Sequence, residues 1–422
     1  MAAHLAVPSI AEMGSRDEAE LCCRGGIVCP RGAAQAGGLT EQKVNASMQI
    51  FDAAVVGTGG IGSAALFHLA KRGLNVIGID QFPAAHSLGS SHGQTRIIRQ
   101  AYFEHPSYVP LLRRAYELWA ELETQTQQQL FAQTGILEVG PPDGVLIQGI
   151  EASAEQHDLP IEKLTAKQVQ ERYPMFQIPS GNRAIFEPTA GMLFVEKCVA
   201  AHLQVAEQAG AEIRSDQEVI AIEVNENPIR IRTRTDEILA HRCVVCSGAW
   251  AQQLLPLPDT IRVVRKHLHW FASDEPGWQA KNNCPTFLYE LPEGHFYGFP
   301  AINELGVKVA EHTGGEMVGN PSRLSKTPDS TDNERVETFT RQHLHGVTLQ
   351  RTHHDVCMYT LSEDTHFIVD QHPDNPQIAF AAGMSGHGFK FATVLGEALS
   401  QLVLDGKTQW SVDFLKMSRL NA

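Results

Sequence analysis

The stretch that decides the fold runs from Ile50 to Asp80 and reads IFDAAVVGTGGIGSAALFHLAKRGLNVIGID. An apolar run, 53–56, predicts a strand that leads directly into the glycine-rich segment 57–62. A helical stretch extends from there as far as Arg72, and a second apolar strand, 76–79, comes after it. This order of strand, glycine-rich turn, helix and strand predicts a βαβ unit of parallel sheet.

The spacing of the glycines is typical of dinucleotide binding. Gly57 permits a tight turn, Gly59 lets the backbone approach a pyrophosphate, and Gly62 lets helix and strand pack closely. The amino end of the helix directs positive partial charge toward a phosphate. Asp80, 18 residues after Gly62, is placed to accept hydrogen bonds from a ribose hydroxyl. These features together predict a dinucleotide site.

The chain beyond Asp80 favours FAD over NAD as the dinucleotide. A loop rich in Ser, Gly and His, 81–93, precedes the basic stretch 94–99, in place of the regular helix alternation of nicotinamide enzymes. An apolar strand with a glycine end recurs at 243–250, and a third glycine-rich segment lies near the carboxyl terminus. A cofactor domain assembled from three separated pieces suits an elongated FAD.

Composition excludes several classes of protein. The 422 residues include 34 basic and 48 acidic side chains, for a formal net charge of −14, which argues against a nucleic-acid partner. No apolar run is long enough for a membrane helix. Eight cysteines are too few for a disulfide scaffold, and we interpret Cys243 and Cys246 as buried strand residues rather than metal ligands. We therefore expect a cytoplasmic protein without a metal site.

The first 47 residues differ from the rest of the chain. They contain two glycine pairs and scattered charge but no sustained periodicity, and they lack the apolar core of a secretory signal. Met48 directly precedes the first predicted strand. We interpret residues 1–47 as a disordered extension, or Met48 as the natural start.

Five segments, in this order along the chain, resemble the family of monomeric sarcosine oxidase and N-methyltryptophan oxidase: 57–80, 89–119, 296–315, 356–373 and 383–402. The resemblance extends from about Ile50 to Leu420. It implies a flavoprotein that oxidises secondary amino acids with FAD bound through a cysteine thioether. The matching cysteine is Cys357, in Val-Cys-Met-Tyr-Thr.

The same resemblance implies roles for further residues. Arg99 and Lys390 match the pair that holds the substrate carboxylate, and Lys308 matches the lysine that activates oxygen. The residues that match the substrate cavity are Tyr297, His312 and Tyr359, and Leu288 is a further candidate for its wall. Those that match the surroundings of the flavin are Arg96, Thr95, Gly386, His387 and Gly388. Ser91 departs from the family, whose members usually have a histidine there, and Ser-Ser-His-Gly also resembles pipecolate oxidases.

The residue types suit this chemistry. Fixed cations, an Arg fork above all, hold a carboxylate best. A positive charge in a dry site stabilises the anion that forms when oxygen takes an electron, and the apolar neighbours of Lys308 indicate a buried strand. Alternate spacing permits an outward-pointing Lys308 equally well, and the resemblance favours the buried one. His312, four residues on, is expected to share the strand face of Lys308. Lys266 matches no family role and is interpreted as structural.

We therefore predict an α/β (α+β) fold in which an FAD-binding Rossmann-like domain is interleaved with an antiparallel-sheet substrate domain. The predicted FAD domain comprises 50–133, 190–258 and 358–416, and the substrate domain comprises 134–189 and 259–357. The predicted activity is oxidation of N-methyl amino acids by oxygen, in a monomer that accepts both sarcosine and N-methyltryptophan. Alternatives are oxidation of a cyclic secondary amino acid, an FAD-dependent dehydrogenase of the same fold, and a catalytically idle dinucleotide-binding module.

Overall fold

Strands and helices alternate along the chain in the computed structural model, which describes residues 49–421. The predicted extension, 1–47, lies outside the described residues. The strands, numbered in chain order, are β1 Ile50–Phe51, β2 Ala53–Val56, β3 Val76–Ile79, β4 Thr95–Ile98, β5 Phe131–Ala132, β6 Ile136–Gly140, β7 Glu162–Leu164, β8 Arg183–Glu187, β9 Gly191–Phe194, β10 Glu212–Arg214, β11 Val219–Glu223, β12 Ile229–Thr233, β13 Glu237–Ala240, β14 Cys243–Val245, β15 Arg262–Ser273, β16 Thr286–Leu291, β17 Gly294–Phe299, β18 Val307–Glu311, β19 Glu316–Met317, β20 Val347–Leu361, β21 Ile368–His372 and β22 Asn375–Ala382.

The α-helices are α1 Gly60–Ala70, α2 Val109–Thr126, α3 Val145–His157, α4 Ala166–Arg172, α5 Val195–Gln208, α6 Ala251–Leu254, α7 Ser330–His343 and α8 Ala392–Asp405. Short 3-10 turns connect several of these elements, and the one that matters for the site spans Phe389–Phe391. Among the described residues, no helix is both long enough and apolar enough to cross a membrane.

A six-stranded sheet contains the predicted βαβ unit. Its order is β10-β3-β2-β14-β22-β21, and all neighbours are parallel except β21, which runs antiparallel to β22. The strands predicted at 53–56 and 76–79 are confirmed as β2 and β3. The residues of β2, β3 and β14 are all buried, as expected of a parallel sheet covered on both faces. Helix α1 packs against α5 and α8.

A nine-stranded sheet forms the second large layer. Its order is β19-β15-β18-β17-β16-β6-β8-β7, and β20 pairs with the other edge of β15. All these pairings are antiparallel except β6 with β16, which is parallel, so the predicted antiparallel sheet is confirmed with one exception. The buried strand predicted around Lys308 is β18.

Two smaller sheets complete the fold. The strands β4, β9 and β5 form an antiparallel sheet that carries Thr95 and Arg96, and β1, β13, β12 and β11 form a four-stranded sheet. The described residues form one compact unit. The division into an FAD domain and a substrate domain stays a prediction, and β20 runs across its predicted boundary at residue 357.

Candidate active site

Two clefts meet in the middle of the molecule. The first cleft has an empty volume of about 1510 Å³, open solvent included, and it begins at the carboxyl ends of β2, β3, β14 and β22. The second cleft has about 560 Å³ and lies against β16 and β17. Both clefts are lined by Arg96, Tyr359, Gly386 and Phe389. A ligand in the first cleft and a ligand in the second would therefore be neighbours.

The glycine-rich turn forms one end of the first cleft. Gly57 has φ +86°, and a Cβ added there would lie 2.5 Å from the carbonyl oxygen of Cys246. A Cβ on Gly62 would lie 1.7 Å from the carbonyl oxygen of Gly57. Neither position tolerates a side chain, so the turn brings bare backbone and the amino end of α1 to the cleft, as phosphate binding requires.

The amino end of α1 is capped by a side chain from a segment that is 31 residues away along the chain. Its N-cap, Gly59, has no side chain to accept a hydrogen bond, and the N–H of Gly60 donates to Ser91 Oγ over 3.1 Å. Ser91 also lines the first cleft. The residue that departs from the family pattern therefore lies beside the predicted phosphate position.

Asp80 lies at the carboxyl end of β3 and lines the first cleft. Its carboxylate accepts the N–H of Thr58 at 2.7 Å and the N–H of Phe82 at 3.0 Å. These bonds hold the glycine-rich turn against β3 and leave acceptor capacity, because an ionised carboxylate has about four lone-pair sites. The predicted contact with a ribose hydroxyl stays a prediction.

The first cleft fits FAD. It combines a side-chain-free turn at a helix start, an acidic group at the end of the neighbouring strand, and a far end that reaches Arg96 and Gly386. Gly386 has φ +80°, and a Cβ there would lie 2.4 Å from the ring of Tyr359. The cleft therefore has room for an elongated dinucleotide from α1 to the border of the second cleft.

Lys308 lies on β18 and is 2% exposed. Its Nζ donates to the carbonyl oxygens of Gly93 at 2.6 Å and of Thr95 at 3.0 Å, and it lies over the rings of Trp270 and Phe299. Burial lowers the pKa of Lys308 well below its usual value, and the charge of Arg96 lowers it further. The amine is thus held in one position by two carbonyl oxygens and two aromatic rings.

Arg96 lies on β4 beside Lys308, at the border of the two clefts. Its guanidinium donates to the carbonyl oxygens of Thr95 and Ser90, each at 2.9 Å. Both partners are neutral, so its charge remains available to a neighbouring ligand.

Arg99 lies directly after β4 and is buried against the second cleft. Its Nη2 donates to both carboxylate oxygens of Glu104, at 2.9 and 3.1 Å, and Glu138 lies 3.4 Å from its Nε. Burial by itself would raise the pKa of Glu104, but Arg99 holds it down at about 2. The predicted carboxylate-binding arginine is therefore already paired with an acid.

Lys390 lies in the 3-10 turn Phe389–Phe391 and is buried beside the same cleft. Its Nζ donates to the carbonyl oxygen of His387 at 2.8 Å and lies over the ring of Tyr102. Burial lowers the pKa of Lys390 to about 7, with Arg99 adding to the effect. Two of its three donors have no protein partner among the described residues, so a carboxylate entering the second cleft can bind it.

The wall of the second cleft contains Tyr297 on β17, Tyr359 on β20 and His312. The two phenol oxygens are 3.4 Å apart. Burial raises the pKa of Tyr297 to about 12 and lowers that of His312 to about 3. Strand β18 ends at Glu311, one residue before His312, yet the histidine ring still packs edge-on against Tyr297. These three side chains are uncharged near neutral pH.

Two of the predicted cofactor residues, His387 and Cys357, do not line the first cleft. His387 lines the second cleft and is held by Tyr102 and by the carbonyl oxygen of Thr365. Cys357 is 1% exposed and is not among the residues that line either cleft, although Met358 and Tyr359 beside it line the first. Gly386 and Gly388 line the first cleft as predicted.

Sequence reasoning missed Glu104 and Glu138, the two acids beside Arg99. Glu138 carried a signal, because it is the single charged residue in the apolar strand Ile-Leu-Glu-Val-Gly. Lys266 is buried, its Nζ bonded to the carbonyl oxygen of Thr313 at 2.6 Å and close to the ring of Tyr359. Leu288 lines the second cleft, as expected.

A family model described as FAD dependent oxidoreductase matches residues 52–402. The chain therefore belongs to this family, and it is an FAD-dependent oxidoreductase. Monomeric sarcosine oxidase from Bacillus sp. (strain B-0618) is 36% identical over 377 residues, which cover 87% of this chain and 96% of that protein. N-methyl-L-tryptophan oxidase from Yersinia pestis (strain Pestoides F) is 36% identical over 372 residues, with 87% and 99% covered.

Solved structures show the same fold at lower identity. The open form of NikD, described as an unusual amino acid oxidase essential for nikkomycin biosynthesis, has a TM-score of 0.78 at 20% identity, covering 87% of this chain and 98% of that one. L-proline dehydrogenase from P. horikoshii has a TM-score of 0.75 at 22% identity, covering 89% and 98%. The predicted fold class is confirmed.

Proposed function

We propose that this protein is an oxidase of N-methyl amino acids. It converts such an amino acid, oxygen and water into the demethylated amino acid, formaldehyde and hydrogen peroxide. The observation that carries the proposal is the second cleft, in which two buried cations face two tyrosines and a histidine at the border of the first cleft. The names of two relatives at 36% identity, a sarcosine oxidase and an N-methyltryptophan oxidase, support it.

Lys390 and Arg99 hold the substrate carboxylate in this proposal. Lys390 binds it directly, because two of its donors are free of acceptors among the described residues. Arg99 binds it by exchanging partners, since its Nη2 is now occupied by Glu104. The guanidinium then exchanges its hydrogen bonds to Glu104 for equivalent bonds to the substrate carboxylate. The free-energy cost of the exchange is therefore that of moving Glu104.

The substrate amine lies among Tyr297, Tyr359 and His312. Amine oxidation requires the neutral amine, whose lone pair assists loss of a hydride from the N-methyl carbon; water then hydrolyses the resulting imine to formaldehyde and the demethylated amino acid. Because burial keeps the two tyrosines protonated and the histidine uncharged, no anion in this group stabilises an ammonium. The pocket therefore favours the neutral amine.

FAD, when bound, supplies the electron acceptor for oxidation of the C–N bond and transfers the electrons to oxygen. Gly57, Gly59, Gly62 and Asp80 would hold its dinucleotide part, and Thr95, Gly386 and Gly388 would contact the rest. Arg96 lines both clefts and Lys308 is buried beside it, and the two provide the positive charge that stabilises an anion derived from oxygen.

We also propose that FAD is attached covalently through Cys357. The support is the match of Val-Cys-Met-Tyr-Thr to the family segment and the position of Cys357 next to two residues of the first cleft. Acid precipitation of the purified protein should leave the yellow colour in the pellet. Cys357→Ala should move the colour to the supernatant, and a colourless pellet from the unmutated protein would refute the attachment.

The test of the activity is peroxide release against a panel of amino acids. Sarcosine and N-methyl-L-tryptophan should both be oxidised, with values of kcat/KM within about a thousandfold of each other. Activity on pipecolate or proline alone would show that the substrates are cyclic secondary amino acids instead of N-methyl amino acids. Reduction of a dye without oxygen consumption would indicate a dehydrogenase. We further propose a cytoplasmic monomer, to be checked by cell fractionation and by light scattering.

A further inference from the structure

Glu138 lies on the face of the nine-stranded sheet that forms the second cleft. In the strand register it is paired with Ile185 of β8 and Leu288 of β16, and Leu288 is paired in turn with Tyr297 of β17. Residues paired across a sheet point to the same face. Since Leu288 and Tyr297 line the second cleft, Glu138 points to the side from which the substrate binds.

The carboxylate of Glu138 has no hydrogen bond within the described part of the chain. The residue is 0% exposed, and neither of its side-chain oxygens has a hydrogen-bond partner there. Its one charged contact among those residues is Arg99, whose Nε lies 3.4 Å from Oε1. A buried carboxylate left without hydrogen bonds is costly, so this position requires an explanation.

Two other acids on the same face of the sheet have clear structural roles. Glu187 of β8 accepts the N–H groups of Gln100 and Ala101, at 2.8 and 2.9 Å. Glu290 of β16 accepts the first N–H groups of α3. Glu138 accepts none from the described residues, so holding the backbone does not account for it.

The charges around Glu138 depend on its own protonation. The charged groups against it are Arg99 and Glu104 from the segment after β4, Glu187 from β8, and Lys390 from the 3-10 turn. The positive charges of Arg99 and Lys390 face the negative charges of Glu104, Glu187 and an ionised Glu138, so negative charge is already in excess by one. A substrate carboxylate would add a further negative charge to a buried site, whereas protonation of Glu138 would offset it.

We propose that Glu138 is a positioning residue that exchanges a proton: it is protonated whenever a carboxylate occupies the Arg99–Lys390 site, so that binding above neutral pH takes up a proton. This inference rests on the proposed carboxylate site. Burial supports it, since it raises the pKa of Glu138 to about 8, against the opposing charge of Arg99. An uncharged Glu138 no longer competes with the substrate for the charge of Arg99.

The test is calorimetric titration of the FAD-loaded protein with methoxyacetate, a sarcosine analogue that lacks the amine, between pH 6 and 9.5. Glu138→Gln mimics the protonated acid at every pH. At pH 6 the variant and the unmutated protein should bind equally. At pH 9.5, about 1.5 units above the pKa, the variant should bind up to about thirtyfold more tightly. Glu290→Gln, the matched control, should behave like the unmutated protein.

Each outcome separates this inference from the proposed function. No binding to the unmutated protein at any pH would refute the carboxylate site itself. If the affinity for methoxyacetate has the same pH profile in the unmutated protein and in Glu138→Gln, only the proton exchange is refuted. The same holds if Glu138→Gln binds methoxyacetate more tightly by the same factor at every pH. If Glu138→Gln fails to fold, infrared difference spectra of the unmutated protein at pH 9 decide. Methoxyacetate should produce a protonated carboxylic acid band, and its absence would contradict the inference.

Discussion

The first and second clefts meet at Arg96 and Tyr359 but are built in opposite ways. The glycine-rich end of the first cleft comes from one local unit, β2, α1 and β3. Glycine is required there at 62 and 57, because an added Cβ would lie 1.7 and 2.5 Å, respectively, from a carbonyl oxygen. The charged groups of the second cleft come from β6, the segment after β4 and the turn before α8, and they act through mutual pairing. The first cleft is therefore shaped by close backbone contacts, whereas the second is shaped by a balance of buried charge.

The largest effect is expected in the first cleft. Gly62→Ala places a Cβ 1.7 Å from the carbonyl oxygen of Gly57, and only movement of the backbone can relieve this contact. We expect the variant to lose FAD or to fail to fold. Gly319→Ala, at an exposed position without a positive φ where an added Cβ meets no atom within 4 Å, controls for the loss of a glycine as such. Normal flavin absorbance in Gly62→Ala would contradict the steric prediction.

Removing a cation from the second cleft should leave FAD binding intact but weaken binding of the substrate. Lys390→Met should reduce affinity for methoxyacetate by roughly 2–5 kcal/mol, because it leaves a buried carboxylate without its partner. Affinity is measured by calorimetry, with flavin content as the control. An unchanged affinity would show that the carboxylate binds elsewhere.

The third prediction concerns Lys308, which is buried beside Arg96, a residue that lines both clefts. Lys308→Met should slow reoxidation of the reduced protein by oxygen about a hundredfold, on the order of 3 kcal/mol, because one preorganised charge is lost. Anaerobic reduction by substrate should change far less. Stopped-flow absorbance measures both steps, and an equal loss in both would refute the assignment to oxygen.

The smallest effect is the pH dependence of carboxylate binding to Lys390. Its pKa is lowered to about 7, so the lysine loses its positive charge as the pH rises through that value. Affinity for methoxyacetate should fall by up to about tenfold per pH unit between pH 7 and 8 and be constant below pH 6. In Lys390→Met the part of this decline that the lysine causes should vanish, leaving only the decline above about pH 8 that Glu138 causes. An affinity that rises with pH would contradict the assignment.

The sequence predicted the first cleft better than the second, because the first is built from one local unit and the second from distant segments. The strands at 53–56 and 76–79 and the glycine positions depend on local spacing, because each is fixed by neighbours a few residues away. The apolar neighbours of Lys308 indicated a buried strand, but the direction of the lysine side chain followed only from the family match. The role of the family match was to bring together Arg99 and Lys390, which lie far apart along the chain.

The sequence by itself thus determined the βαβ unit, the dinucleotide turn and the family, since these depend on short-range order along the chain. Only the tertiary structure decided which charges face each other. In the folded chain, Arg99 pairs with Glu104, and Glu138 lies beside Arg99 without a hydrogen bond from the described residues. His387, predicted beside the flavin, lines the second cleft. Buried electrostatics depends on distances between segments and on exclusion of water, and neither quantity exists until the sheets have packed.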